Sequence, residues 1–167
     1  MRIETKRLII TTFTIDMAEA VHLGSLDDST KRFVPDEVFE TVDDARETLE
    51  YLISVYENGD GPLVYPILLD SKYIGYVQAV PMDNNRWEIG YHINEQHRNF
   101  GYATEALTAF LPIIMKQLGI SSILGITMEA NKASQRVLEK CGFEKFFEGD
   151  DMYHGEIQPV VKLSYEI

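Results

Sequence analysis

Between Val64 and Gln117 the chain changes period in a way that few folds accommodate. Three strand-like runs, Val64–Leu69, Tyr73–Val80 and Trp87–Ile93, are joined by Asp70-Ser71-Lys72 and Met82-Asp83-Asn84-Asn85. Turns this short make consecutive strands antiparallel. A helical pattern follows from about Tyr102 to Gln117, stops at Gly119, and leads into another strand, Ile123–Met128. A strand regained through a helix pairs parallel to the one before it. One sheet must therefore hold antiparallel hairpins and a strand–helix–strand crossover.

The rest of the chain fits around that frame. Leu8–Ile15 reads as a strand, and Asp16 as the cap of a short helix, Met17–Leu23. Asp27–Phe39 is mixed and broken at Pro35. Thr41-Val42-Asp43-Asp44 opens a helix with Ala45, Leu49, Leu52, Ile53 and Tyr56 on one face, and Asn58-Gly59-Asp60-Gly61 ends it. Asn131 caps a helix reaching about Lys140, with Gly142 after it, and Phe143–Phe147 and Val160–Tyr165 close the chain as strands. The expected fold is α/β, with a mixed, mostly antiparallel central sheet and helices on both faces. At 167 residues it forms one domain, residues 1–167.

Composition narrows the function classes. No apolar run is long enough to span a bilayer, and Met1 to Arg7 has no apolar core of a secretory signal. A single cysteine, Cys141, excludes an internal disulfide and suits a reducing cytoplasm. The net charge of −12 argues against a nucleic-acid partner and favours cationic partners such as amines. Solubility alone also accounts for such a charge. His22, His92, His97 and His154 lack ligand spacing, so no metal is expected.

The segment Gln96–Ala106 carries the strongest functional signal. Free N–H groups at a helix start carry partial positive charge and bind anions. A pyrophosphate can approach only where side chains are small, and Gly101 and Ala103 give that clearance. Arg98 adds a cation beside it. The Gly-Lys-Ser/Thr ending of a Walker loop is absent, and so is the GxGxxG dinucleotide pattern.

Four segments in order resemble the GCN5-related N-acetyltransferase (GNAT) superfamily, in its ribosomal-protein N-terminal (RimJ/RimL-like) branch. They are Glu4–Ile10, Trp87–Ile93, Arg98-x-x-Gly101-x-Ala103 with Thr104-Glu105-Ala106, and Asn131–Ser134 with Leu138–Phe143. The resemblance implies acetyl-coenzyme A as co-substrate, entering a V-shaped opening where the central strand parts from its parallel neighbour. It implies that backbone at His92, Ile93 and Asn94 pairs with the pantetheine arm. It implies that amides of Asn99, Phe100, Gly101, Tyr102, Ala103 and Thr104 hold the pyrophosphate, and that Asn131 and Ser134 line the opposite wall. Many such relatives are dimers, so a homodimer follows by analogy only.

Acetyl transfer to an amine needs a base, an oxyanion donor and provision for the leaving thiolate. Glu88, on the face that alternation shares with Gly90 and His92, is the candidate base; a plain surface glutamate is the competing reading. Backbone N–H near Ile93 is the candidate oxyanion donor. Many relatives carry a tyrosine where this chain has Leu138. Ser134, one turn earlier, is therefore the catalytic candidate at the thiolate, with a helix-start serine as the alternative and Tyr153 as a more distant candidate. Cys141 at a helix C-terminus reads as packing rather than nucleophile, which favours direct attack in a ternary complex. Three functions stay open: an N-acetyltransferase of a peptide N-terminus or small amine, a non-catalytic acyl-coenzyme A-binding module, and a binder of another nucleotide.

Overall fold

Two left-handed residues, Asp70 (φ 47°) and Ser71 (φ 65°), close the hairpin between Leu69 and Lys72. Their backbone twist matches that of the strands they join. In a computed structural model, which describes residues 1–59 and 61–167, the strands form one eight-stranded sheet. They are β1 (Ile3–Glu4), β2 (Leu8–Ile10), β3 (Leu63–Leu69), β4 (Lys72–Met82), β5 (Arg86–Ile93), β6 (Ser122–Met128), β7 (Glu144–Tyr153) and β8 (Glu156–Glu166). Their spatial order is β1-β2-β3-β4-β5-β6-β8-β7. Every pairing is antiparallel except β5 with β6, which the crossover helix makes parallel.

Helices cover both faces. On one side, α1 (Ala18–Gly24) and α3 (Val42–Asn58) pack with Phe13 and Val64, burying Ala18, Val21, Ala45, Leu49 and Leu52. On the other, α4 (Tyr102–Leu118) buries Leu107, Phe110, Leu111 and Ile114 against Ile67, Val77 and Ile89. There α5 (Lys132–Lys140) adds Leu138. Thr41 forms a reciprocal capping box with Asp44, and Asn131 Oδ1 accepts from Ser134 N–H at 3.2 Å. Both caps were legible as sequence. Gly59 ends α3 in the left-handed region; Asp60, also read as part of that turn, lies outside the described residues.

Several boundaries differ from expectation. The first strand stops at Ile10 rather than Ile15, because after one last bond, Thr11 N–H to Pro66 O, the chain leaves the sheet and turns at Ile15–Met17. Asp16 lies inside that turn and caps nothing. The mixed stretch holds a short helix, α2 (Asp28–Phe33), capped by Asp27, and a turn at Pro35–Glu37. The last hairpin runs well past Phe147, since a mostly exposed ribbon needs no apolar alternation.

The sheet is most tightly fitted where β4 meets the end of β5. Pairing between β3 and β4 shifts register beside Gly75, and a Cβ on Gly75 would fall 2.0 Å from the carbonyl oxygen of His92. Gly75→Val should therefore cost about 1–3 kcal/mol of stability, read from urea denaturation. Wild-type stability in that variant would contradict the packing described.

Candidate active site at the parting of the central strands

β5 and β6 are joined in register only at Glu88 opposite Leu124. Beyond that point the two strands part. The Asn94 N–H donates to Ile74 O at 2.8 Å, so alternate residues Asn94, His92 and Gly90 turn their backbone groups toward β4. Trp87, Ile89, Tyr91 and Ile93 turn theirs the other way, toward β6. Of the three residues expected to offer backbone here, Ile93 alone does so, and Tyr91 joins it. Two side chains partly repair the broken ladder. Arg98 Nε donates to Ile93 O at 2.8 Å, and the Tyr153 hydroxyl donates to Ile126 O of β6 at 3.1 Å.

The glycine turn stands at one end of this opening. Asn99 (φ 66°) and Gly101 (φ 80°) are both left-handed, and Gly101 is the N-cap of α4. The first helical bond is Glu105 N–H to Gly101 O, so the N–H groups of Tyr102, Ala103 and Thr104 precede the ladder. Glu105 in that first turn would oppose an anion, but its charge is paired. Its carboxylate accepts from Thr5 Oγ1 (2.6 Å), Arg7 N–H (2.9 Å) and Arg7 Nε (2.7 Å). Arg7 also donates to Phe100 O at 2.9 Å and lies over the Tyr102 ring. A groove of about 560 Å³ runs beside the turn, lined by Thr5, Gly101, Thr104, Thr108 and Lys140 among others.

The structure revises the part given to Arg98. Its guanidinium faces inward, onto Ile93 O and both carboxylate oxygens of Asp27 at 3.1 Å. It ties the α2 cap to the end of β5.

On the α1–α3 side of the sheet, Glu88 has a neighbour that sequence reasoning missed. Gln78 sits opposite Gly90, and its Nε2 donates to Glu37 Oε1 at 3.1 Å. Glu37 thus flanks Glu88 from the Pro35–Glu37 turn, where no periodicity marks it. Burial, then the nearby charge of Glu37, pushes the Glu88 carboxyl up to about 7. Burial also pushes Glu37 up to about 7; the Gln78 bond opposes this and Asp36 adds to it. His154, at the β7–β8 turn, meets Asp36 at 3.1 Å and brings Tyr153 across the pair. Burial, then Glu88 and Glu37, raises the Tyr153 phenol, which stays protonated.

His92 does not line this space. It is buried, stacked on Tyr76, with Nε2 donating to Gly24 O at 3.1 Å, and burial followed by Arg98 pushes it down to about 4. On the opposite side, the Tyr91 hydroxyl lies 2.8 Å from Ser134 Oγ and 3.0 Å from Ser134 O. Leu138 is buried below them. Cys141 is half-buried against Thr104 O and Thr108 Oγ1, each at 3.8 Å, and burial pushes its thiol up. Among the described residues no group of three His, Cys, Asp or Glu is placed to hold a metal, and no helix is long and apolar enough to cross a membrane.

Comparison with known proteins gives one consistent result. The family model for the acetyltransferase (GNAT) domain matches residues 7–144. The uncharacterized N-acetyltransferase YnaD of Bacillus subtilis (strain 168) is 30% identical over 148 residues, covering 87% of this chain and 84% of that protein. A GNAT-family acetyltransferase structure from Bacillus anthracis matches with a TM-score of 0.84 at 25% identity, over 99% of this chain and 98% of that one. The fold is also that of RimL, described as a ribosomal L7/L12 alpha-N-protein acetyltransferase and solved in complex with coenzyme A. There the TM-score is 0.85 at 17% identity, over 100% of this chain and 98% of that one.

The Asp27–Arg98 corner yields a stability prediction. Burial raises the Asp27 carboxyl, but Thr30 and Arg98 outweigh it and hold it at about 2, below the ordinary 3.8. Its stabilisation is complete above pH 3.8 and is lost as pH falls through 2. Asp27→Asn should cost up to about 2 kcal/mol at pH 7, with the difference closing in acid. Denaturation curves across pH check this; a pH-independent difference would contradict it.

Proposed function

The chain belongs to the GNAT acetyltransferase family, and on that premise we propose that it transfers acetyl from acetyl-coenzyme A to a cationic primary amine by direct attack in a ternary complex. The observation that carries this reading is the parting of β5 from β6 just past Glu88, with the amides of the Gly101 turn at one end.

Each group has work suited to its place. The Tyr102, Ala103 and Thr104 amides hold the pyrophosphate. The N–H and C=O of Tyr91 and the N–H of Ile93 pair with the amide-bearing pantetheine arm, as an added strand would. The Ile93 N–H is also placed to stabilise the oxyanion, a contribution of about 3 kcal/mol for one such donor. Asn131 orients Ser134 through its cap.

The amine enters from the side of Glu88 and Glu37. An ammonium has no lone pair, and its ordinary pKa is about 10.4, so a base must relieve it of a proton. At about 7, Glu88 is better matched to that task than an ordinary glutamate. Glu37 draws in a cation and repels a carboxylate. A peptide N-terminus or a small amine therefore fits better than a free amino acid, whose carboxylate adjoins its amine. The RimL fold neighbour, named for a protein α-amine, supports the same acceptor class.

An acetyl-coenzyme A consumption screen over amine classes tests the reading. Rate should rise with pH through an acid limb near 7, as Glu88 loses its proton. Glu88→Gln should lower transfer at neutral pH by roughly 10²–10⁴-fold. Glu37→Gln should shift the acid limb to lower pH, because it removes the neighbouring charge. Unchanged transfer in Glu88→Gln would overturn the assigned base. Coenzyme A binding with no amine acetylated would instead mark a non-catalytic module. Thermal shift should respond to acetyl-coenzyme A, by about 2.7 kcal/mol at 100 times its Kd, and not to ATP or NAD.

A further inference from the structure

Two neighbouring carboxylates do not ionise alike, and the groups between them decide which does so first. Gln78 and Gly90 face each other across β4 and β5, two residues along from Val80 and Glu88 on the same face of the sheet. Gly90 presents no side chain there, and Gln78 fills the space. The three nearest atoms that a Cβ on Gly90 would meet all belong to Gln78, with Nε2 at 2.6 Å and Cγ at 2.9 Å. Laid across β5 in this way, the Gln78 amide donates to Glu37 Oε1 at 3.1 Å. The Glu88 carboxyl has no such donor among the described residues. A hydrogen bond to a carboxylate favours its ionised form. The pair is therefore asymmetric: one carboxylate is held by a donor and the other is left bare.

We propose that Gln78 is a positioning residue that divides the work of the two carboxylates: it fixes Glu37 as the anion that receives the acceptor's ammonium and leaves Glu88 as the base that takes its proton. This rests on the acetyl-transfer reading and deepens its acceptor side. Gly90 serves the same end by leaving room for the Gln78 amide. The ammonium gives one proton to the Glu88 carboxylate, which becomes a neutral acid, and the nitrogen keeps the electron pair of that N–H bond for attack. Glu37 stays ionised throughout and accepts a hydrogen bond from the amine. The other titratable groups facing Glu37 are Asp36 beside it, which His154 meets, and the phenols of Tyr73 and Tyr153, which burial keeps protonated. Substitution at Gln78 leaves all of these in place.

The test pairs Gln78→Met, which keeps the side-chain shape and removes the donor, with Gly90→Ala, which displaces the Gln78 amide from the neighbouring strand. Carboxyl carbon NMR of glutamate-labelled protein, with coenzyme A bound, should show Glu37 ionising at lower pH than Glu88 in wild type. In both variants Glu37 should ionise about 1 pH unit higher, the worth of one such bond. The amine KM at pH 7 should then rise about fivefold as the ionised fraction of Glu37 falls. That loss should fall on KM rather than kcat and close at alkaline pH, where Glu37 is ionised in every variant. In a Glu37→Gln background Gln78→Met should add nothing, since it acts through the carboxylate. Unchanged titration of Glu37 in both variants, or an equal rise in KM in the Glu37→Gln background, would overturn the part given to Gln78 and leave acetyl transfer standing. Wild type that binds coenzyme A and acetylates no amine would remove the reaction, and this role with it.

Discussion

Hydrogen-bond pairing between β5 and β6 ends at Glu88, and the organisation of the site follows from that interruption. Backbone N–H and C=O groups are obligatory hydrogen-bonding groups, so strands inside a sheet do not separate without substitutes. Arg98 supplies one on β5 and Tyr153 supplies one on β6. The first is fixed by the distant Asp27 on the α2 cap, and the second is carried by the tip of the last hairpin. The elements that looked least regular in the chain hold the opening apart. What they leave unpaired, at Tyr91 and Ile93, is a strand edge in the middle of a sheet.

The opening has opposite character on its two sides. The α1–α3 side gathers Glu37 and Glu88, whose carboxyls are both pushed up to about 7. Raised carboxylates favour folding only while protonated, so both cost stability as pH climbs from the ordinary carboxylate range through 7. That is the sign expected of groups kept for chemistry rather than for folding. The α5 side gathers hydroxyls with no net charge. The Gly101 turn is braced by Arg7 and Thr5 through Glu105, which pairs the acidic residue in the first turn of α4.

The sheet was legible because its turns and caps are local. Asp70-Ser71, Thr41 with Asp44, and Asn131 with Ser134 each act within a few residues. So was the face of Glu88, which strand alternation decides. Arg98 was read as an anion contact because its partner, Asp27, is 71 positions away in a stretch without periodicity. Glu37 was missed for the same reason, as was Tyr91, whose value lies in a hydroxyl 43 positions along on α5. The sense of each backbone group on β5 also needed the register with β4: sequence located the strand end but not which of His92, Ile93 and Asn94 faces outward.

The central claim, that the edge exposed past Glu88 receives acetyl-coenzyme A, is tested most directly by residue-resolved amide hydrogen exchange with and without that ligand. Exchange at Tyr91 and Ile93 should slow on binding, while His92 and Asn94, whose N–H groups face β4, should be protected in both states. Unchanged exchange at Tyr91 and Ile93 in the ligand-saturated protein would contradict the account.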